Sequence, residues 1–226
     1  MSLYIVATPI GNLEDITWRA LDILKSVEKI YCEDTRRTKI LLDRFTIKKP
    51  LESFHQHSLG KVAKVVAELK DGREIAYLSD AGTPGIQDPG GQLVAAARQV
   101  GVRIVPIPGP SAVTTLLSVA GIAADRFYFA GFVPTKKGRK IFIKKILATD
   151  VPVVIFETAP RLTKLFDQLI ASGGAERSII VGRELTKKFE EISVGSVVEL
   201  QTMFTTEPPR GELTVVICPA SVYTAA

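Results

Sequence analysis

Two loops rich in glycine and proline could form a ligand site in this sequence. The longer loop, Ser79–Gly91, follows a short apolar run and precedes a run with helical periodicity. The shorter loop, Pro108–Ser111, also lies between an apolar and a helical run. Glycine lets a backbone approach a ligand closely, and proline restricts a loop before binding. Because open α/β sheets bind ligands at the carboxyl ends of their strands, the pair is predicted to cradle the polar end of a nucleotide-like cofactor. The alternative is a pair of turns that bind nothing.

Charged side chains gather after three other predicted strands. The cluster Glu33–Arg37 follows the second strand, and His55 follows the third. The stretch Arg183–Glu191 follows a later apolar strand, which makes Glu184 and Lys187 site candidates. A histidine suits a substrate-facing or base role because its ordinary pKa lies near neutral pH. For each stretch, the alternative is a solvated surface.

The sequence does not favour a metal site. Asp80 and Asp88 have no third oxygen or histidine ligand nearby in the sequence. His55 and His57 would need carboxylates to complete a zinc site. Asp80 is instead expected to accept hydrogen bonds from loop amides or from a ligand amine.

A basic stretch lies in the second half of the chain. The net charge is +5 and the calculated pI about 9.2, which suits an acidic substrate without requiring one. Between Thr135 and Lys145 there are six basic residues and no acid. They are Lys136, Lys137, Arg139, Lys140, Lys144 and Lys145. This stretch is predicted to bind phosphates electrostatically, the alternative being a solvated helix start.

Several common cofactor and catalytic motifs are absent from the sequence. Only one glycine, Gly11, follows the first strand closely, so the dinucleotide fingerprint fails and a nicotinamide oxidoreductase is disfavoured. The phosphate loop of ATP-binding proteins is absent, as are the H-E-x-x-H, C-x-x-C and G-x-S-x-G motifs. The glycine-rich loops must therefore bind their ligand by other chemistry.

Strands alternate with helices in both halves of the 226 residues, which predicts two α/β domains. The apolar pattern breaks at Gly121–Asp125, so the domains are expected at residues 1–120 and 121–226. The start of the chain is predicted to be a first strand rather than a signal peptide. No apolar run is long enough to span a membrane. The two isolated cysteines, Cys32 and Cys218, suit a reducing cytoplasm.

Five stretches together resemble the tetrapyrrole methylase superfamily. They are Leu3–Thr17, Glu33–Arg36, Ser79–Gly91, Pro106–Ala112 and Arg183–Glu191. Within it, the chain is most similar to the branch that methylates a cytidine 2′-hydroxyl of ribosomal RNA. The match extends from Leu3 to about Cys218, and the motifs S-D-A-G-T-P-G and E-L-T-K-K-F-E-E are specific.

The resemblance implies two α/β domains with an S-adenosylmethionine cleft between them, and usually a homodimer. S-adenosylmethionine would be the methyl donor, with no metal. The implied cofactor contacts are Pro9, Asp80, Gly82, Thr83, Pro84, Gly85, Ser111, Ala112, Phe156, Glu157 and Leu185. Members often continue beyond the last strand with a helical extension, whereas this sequence stops at Ala226.

The implied substrate is a decoding-centre cytidine of 16S rRNA in the assembled small ribosomal subunit. The expected substrate contacts are Asp34, Arg36, Arg37, Lys136, Lys137, Arg139 and Lys140. Methyl transfer is an in-line displacement that depends on positioning, and a ribose hydroxyl needs a base or a nearby cation. The catalytic candidates are Glu184, Lys187 and His55, with Glu33 and Asp34 as further proton acceptors.

Two alternatives stay open at this point. Another member of the superfamily would methylate a porphyrinoid or a modified histidine. A non-catalytic RNA-binding factor of ribosome assembly would not bind S-adenosylmethionine.

Overall fold

The computed structural model describes residues 1–54, 59–88 and 90–221. It divides into two compact units, Met1–Ser111 and Ala112–Ala226. The division falls before the break at residue 120 that the apolar pattern suggests. The reason is helix α5 (Ala112–Val119), which packs on the last strand of the second unit.

The first unit is built on a parallel sheet with the order β3-β2-β4-β1-β5. Its strands are β1 (Ser2–Val6), β2 (Lys29–Cys32), β3 (Leu51–Ser53), β4 (Glu74–Leu78) and β5 (Arg103–Ile107). Its helices are α1 (Trp18–Ser26), α2 (Thr35–Arg44), α3 (Leu59–Lys70) and α4 (Gly90–Gln99). A short 3-10 turn, Leu13–Asp15, precedes α1.

The central strands of this sheet are apolar because both faces are covered. Helices α1 and α2 contribute to the core on one face, with Leu24 and Leu41 fully or nearly buried. Helices α3 and α4 contribute to the core on the other face, with Leu69 and Leu93 fully buried. Because the five strands are parallel, their carboxyl ends lie at one edge of the sheet, where ligands bind in such folds.

The second unit is a mixed sheet with the order β6-β7-β10-β8-β9. Its strands are β6 (Tyr128–Phe132), β7 (Val153–Thr158), β8 (Ser178–Arg183), β9 (Glu191–Ser196) and β10 (Glu212–Ile217). Besides α5, its helices are α6 (Arg139–Leu147), α7 (Ala159–Ala171) and α8 (Val197–Thr206). Strands β6 and β7 pair in parallel, whereas β7 with β10, β10 with β8, and β8 with β9 pair antiparallel.

Helices α6, α7 and α8 cover one face of the second sheet, and α5 packs against the other. The covered core includes the stacked rings of Phe166 and Phe204, whose centroids are 6.2 Å apart. On the α5 side, Gly182 leaves room for Leu116, since a Cβ there would lie 2.8 Å from the Leu116 Cδ1. Among the described residues, no helix is both long enough and apolar enough to cross a membrane.

Candidate functional site

The central glycine-rich loop is tied to the end of β1. The backbone N–H of Thr8 donates to the Gly82 carbonyl at 2.9 Å, and the Gly82 N–H donates to the Thr8 carbonyl at 3.0 Å. The hydroxyl of Ser79 also donates to the Gly82 carbonyl, at 3.1 Å. Gly82 has φ +78°, a conformation that glycine adopts without strain. The turn after β4 is therefore fixed directly beside the turn after β1.

The second glycine-rich loop joins the same edge. The hydroxyl of Thr83 donates to the Pro110 carbonyl at 3.2 Å. Gly109 lies so close to β1 that an added Cβ would be 3.0 Å from the Ala7 Cβ. Three backbone segments, after β1, β4 and β5, thus form a surface poor in side chains, as the sequence pattern indicated for the two loops. Sequence reasoning missed Thr8, whose backbone pairs with Gly82 and whose hydroxyl donates to the Ser79 carbonyl at 3.2 Å.

Asp88 closes the central loop against the start of α4. Its Oδ2 accepts from the Gly85 N–H at 2.8 Å, and its Oδ1 accepts from the Gly90 N–H at 2.7 Å. A Cβ on Gly90 would lie 2.8 Å from Tyr77 Cε1 and 2.9 Å from the Asp88 Oδ1. The role of Asp88 is thus to bind loop amides. In the described part of the chain, no group of three or more His, Cys, Asp or Glu side chains could hold a metal ion.

The acidic cluster after β2 reaches the central loop. The Asp34 N–H donates to Asp80 Oδ1 at 2.8 Å, and the Asp80 N–H donates to Glu33 Oε1 at 3.2 Å. The expectation that Asp80 accepts from a backbone amide is confirmed. The side chains of Arg36 and Arg37 are exposed, at 88% and 62%. Both guanidinium groups are therefore open to solvent at this edge.

The two carboxyls beside Asp80 have opposite pKa shifts. Hydrogen bonds from Arg36, at 3.0 Å and 2.7 Å, hold the pKa of Asp34 well below its usual range. Burial raises the pKa of Glu33, although the hydrogen bond from the Asp80 N–H opposes this. A base is most effective when its pKa approaches the working pH, so Glu33 is better suited than Asp34 to accept a proton.

The stretch Arg183–Glu191 runs from the last residue of β8 to the first residue of β9, and residues 184–190 form the loop between them. Glu184 and Thr186 have φ +49° and +65°, which is uncommon for residues other than glycine. The Lys187 ammonium donates to Glu184 Oε1 at 3.1 Å and to Glu212 Oε2 at 2.9 Å. The Glu212 N–H donates to Glu184 Oε1 at 2.9 Å. Glu184 and Lys187 are thus brought together, as members of one ion-pair network.

This network shifts both pKa values away from those of a base. The Glu212 backbone N–H lowers the pKa of Glu184, and Lys187 lowers it further. Burial works to lower the pKa of Lys187, but its hydrogen bonds to Glu212 and Glu184 outweigh burial and raise it. A carboxylate with a lowered pKa and an ammonium with a raised pKa are poor proton acceptors. Lys187 is suited to act as a fixed cation.

A buried ion pair corrects one expectation from the sequence. Arg139 was grouped with the exposed lysines as a substrate contact, but its side chain is only 6% exposed. Its Nη1 lies 3.5 Å from Glu157 Oε1 and donates to the Pro134 carbonyl at 3.1 Å. Arg161 also pairs with Glu157 Oε1, at 3.3 Å. A buried guanidinium cannot contact RNA at the surface. Its burial is tolerated because Glu157 compensates its charge.

The remaining predicted residues divide by exposure. Lys136, Lys137 and Lys140 are exposed, as a phosphate-binding stretch requires. Leu185 is buried, and Phe156 is half-buried at the end of β7. The buried or half-buried members of the expected cofactor set also include Pro9, Pro84, Ser111 and Ala112. His55 and His57 lie outside the described residues.

Comparison with known proteins identifies the relatives of this chain. The family described as Tetrapyrrole (Corrin/Porphyrin) Methylases matches residues 2–201. A ribosomal RNA small subunit methyltransferase I of Mesorhizobium japonicum is 42% identical over 222 residues, covering 97% of this chain and 76% of the relative. The protein of the same name from Thermotoga maritima is 41% identical over 216 residues, covering 95% of this chain and 97% of the relative.

Solved structures show the same fold at low sequence identity. A diphthine synthase superposes with a TM-score of 0.77 at 15% identity, covering 99% of this chain and 92% of the other. A uroporphyrin-III-C-methyltransferase of Thermus thermophilus superposes with a TM-score of 0.67 at 21% identity, covering 95% and 93%. The predicted α/β class with two sheets is confirmed.

Proposed function

The chain belongs to the tetrapyrrole methylase family, and on this premise we propose that it transfers a methyl group from S-adenosylmethionine to ribosomal RNA. The proposed acceptor is the ribose 2′-hydroxyl of a decoding-centre cytidine in 16S rRNA of the small subunit. The observation that carries the proposal is the joined pair of glycine-rich loops in a chain whose relatives are named for small-subunit rRNA methylation.

The central loop suits this cofactor better than a phosphate-bearing one. Ser79–Gly91 contains two aspartates and no lysine or arginine. S-adenosylmethionine has no phosphate, and its sulfonium and ammonium groups are cationic, so carboxylates nearby favour it. Gly82 adopts its left-handed conformation without strain and Gly109 packs closely against Ala7, so both loops can lie next to the end of β1, where the cofactor is proposed to bind. When bound, the cofactor supplies an electrophilic methyl group.

In the first unit, the residues proposed to hold the cofactor lie on the three joined segments. They are Pro9, Asp80, Gly82, Thr83, Pro84, Gly85 and Ser111. In the second unit we assign Ala112, Phe156, Glu157 and Leu185. Because the Glu157 side chain is 0% exposed and ion-paired, its contribution would come from the backbone.

On the acceptor side, the chain must remove a proton from a weakly acidic hydroxyl. Glu33 is our proposed proton acceptor, because its pKa is raised by burial. Lys187 is proposed to stabilise developing negative charge as a fixed cation, and Glu184 holds it in place. His55 remains a further catalytic candidate.

RNA contacts are proposed on two exposed basic groups. Arg36 and Arg37 lie beside the central loop, held by the acidic cluster that includes Asp34. Lys136, Lys137 and Lys140 lie on the second unit. Lysine and arginine side chains in such stretches bind phosphates without reading sequence.

We further propose that the working form is a homodimer, which sedimentation equilibrium tests.

The decisive experiment follows labelled methyl from S-adenosylmethionine into two acceptors. These are small subunits purified from cells that lack the modification, and protein-free rRNA. Label at one alkali-resistant ribose linkage, appearing with subunits only, is the expected result. Absence of transfer to either acceptor, with cofactor binding intact by calorimetry, would contradict the proposed acceptor and favour a porphyrinoid or histidine substrate. Absence of cofactor binding would favour a non-catalytic RNA-binding factor.

A further inference from the structure

Strand β6 contains a bulge that changes where its last aromatic ring points. Phe129 pairs with Val154 of β7, but the register then shifts, and Phe132 pairs with Phe156. Gly131, in the shifted segment, has φ +69°. Residues three apart on a regular strand face opposite sides, whereas the bulge places both phenylalanines on the Phe156 side of the sheet. Bulges of this kind re-aim side chains, often next to functional sites.

The three rings form one aromatic cluster, whose outermost member is exposed. The Phe156 ring meets Phe129 at 5.0 Å and 65°, and meets Phe132 at 5.4 Å and 61°, both edge-to-face. Phe132 is nevertheless 50% exposed. The cluster therefore holds an apolar ring at the end of β6 and leaves half of its surface open.

Two arginine side chains hold the backbone directly after Phe132 in place by hydrogen bonds. Arg161 donates a hydrogen bond to the Val133 carbonyl, and Arg139 donates to the Pro134 carbonyl at 3.1 Å. Glu157, which pairs with both guanidinium groups, is fully buried. A surface held in this way loses little conformational entropy when a ligand binds it.

Exposed lysines follow this held segment in the sequence. Lys136 and Lys137 follow Pro134 within one turn, and Lys140 begins the exposed side of α6. An exposed aromatic ring followed four residues later by exposed lysines is suited to unpaired nucleotides, since bases stack on aromatic rings and phosphates bind ammonium groups. Neither feature alone would indicate an occupant.

We propose that Phe132 is a stacking platform for an unpaired base of the substrate RNA, with Lys136 and Lys137 binding the adjoining phosphates. This assignment rests on the proposed function, because it takes ribosomal RNA as the acceptor. The Phe156 ring packs edge-to-face against Phe132 and holds it in place.

The test compares Phe132→Ala and Phe132→Trp, with Ile141→Ala as control. Ile141 is 75% exposed on α6, close to the same basic stretch, and has no role in the proposal. Affinity for a small-subunit rRNA fragment is measured by fluorescence anisotropy, which requires no methyl transfer. Steady-state KM for subunits and cofactor affinity by calorimetry are measured in parallel.

Phe132→Ala is expected to weaken RNA binding and raise KM by about tenfold, the scale of losing one stacked base. Phe132→Trp should restore both values, and Ile141→Ala should match the wild type. Lys136→Ala should weaken RNA binding and reduce its salt dependence, whereas Phe132→Ala should leave the salt dependence unchanged.

Three outcomes would overturn the stacking site. One is unchanged RNA affinity in Phe132→Ala. Another is a Trp variant as weak as the Ala variant. The third is loss of cofactor affinity in place of RNA affinity, which would assign the ring to the methyl donor. Wild-type protein that binds the fragment but methylates neither small subunits nor protein-free rRNA would refute the proposed function alone, because the comparison of RNA affinities needs no methyl transfer.

Discussion

Arg139 Nη1 lies 3.5 Å from Glu157 Oε1, and the two side chains are 6% and 0% exposed. The pair joins the start of α6 to the end of β7. Since Arg139 also donates to the Pro134 carbonyl, it anchors the segment that leads into the basic stretch. A charge in this position therefore supports the proposed RNA-binding surface through the backbone and is itself buried.

Replacing Arg139 should destabilise the second unit strongly. Arg139→Met leaves the buried Glu157 with one fewer cation, and breaking a buried pair in this way costs about 3 kcal/mol. Lys140→Met, one residue away and exposed, should change the free energy of unfolding by less than about 0.5 kcal/mol. Urea unfolding, followed by hydrogen exchange in α6 and β7, measures both. Equal effects of the two substitutions would contradict the buried pair.

Two neighbouring glycines at the start of α4 should respond in opposite ways. A Cβ on Gly90 would lie 2.8 Å from Tyr77 Cε1, whereas a Cβ on Gly91 would meet nothing within 4 Å. Gly90→Ala is expected to destabilise the first unit by about 1–3 kcal/mol, because the loop or the ring must move. Gly91→Ala should be neutral or slightly stabilising. If the central loop binds the cofactor, calorimetry should show weaker binding in Gly90→Ala only.

Local patterns were sufficient to predict much of the fold. Strands and helices were predicted in both halves of the chain, and each unit contains a five-stranded sheet with helices packed on it. Periodicity succeeds there because each element buries one apolar face or run. The compact units divide after Ser111 and not after residue 120, because α5 packs against β10, a contact that no local pattern predicts.

The site was predictable where backbone chemistry defines it and obscure where a distant partner does. Glycine and proline mark the loops after β4 and β5 directly. The burial of Arg139 on α6 depends on Glu157 of β7, which lies outside the basic stretch. Counting charges along the sequence therefore grouped Arg139 with the exposed lysines. The turning of Phe132 depends on a register shift that no residue pattern announces, although Gly131 beside it is a weak signal.

The stability of the first unit should vary with pH through Glu33. Burial raises its pKa in the folded state, so the folded protein holds a proton that the unfolded chain releases. The associated stability is present below the ordinary carboxyl pKa of about 4.3 and is lost as pH rises through the folded value. Glu33→Gln removes the buried charge and can still accept from the Asp80 N–H.

Glu33→Gln is therefore expected to be more stable than the wild type at neutral pH, with the difference vanishing in acid. Urea midpoints measured from pH 3 to pH 8 check this, and Glu14→Gln, at an exposed position, serves as control. A variant that is less stable than the wild type at neutral pH would show that the folded protein stabilises the charged Glu33 carboxylate, which contradicts a raised pKa. Loss of methyl transfer in the same variant would support its proposed role as proton acceptor.

Lys187 offers a direct distinction between a base and a fixed cation. Its ammonium contacts Glu184 and Glu212, and the net effect of its surroundings is a raised pKa. Arginine keeps the charge but cannot accept a proton, so Lys187→Arg should retain most of the methyl-transfer rate. Lys187→Met should lose about a hundredfold, the scale of removing one electrostatic contact to a developing charge. Lys188→Met, at the exposed neighbour, should remain near the wild-type rate. An arginine variant as slow as the methionine variant, with a rate that climbs with pH in the wild type, would instead identify Lys187 as the group that takes the proton.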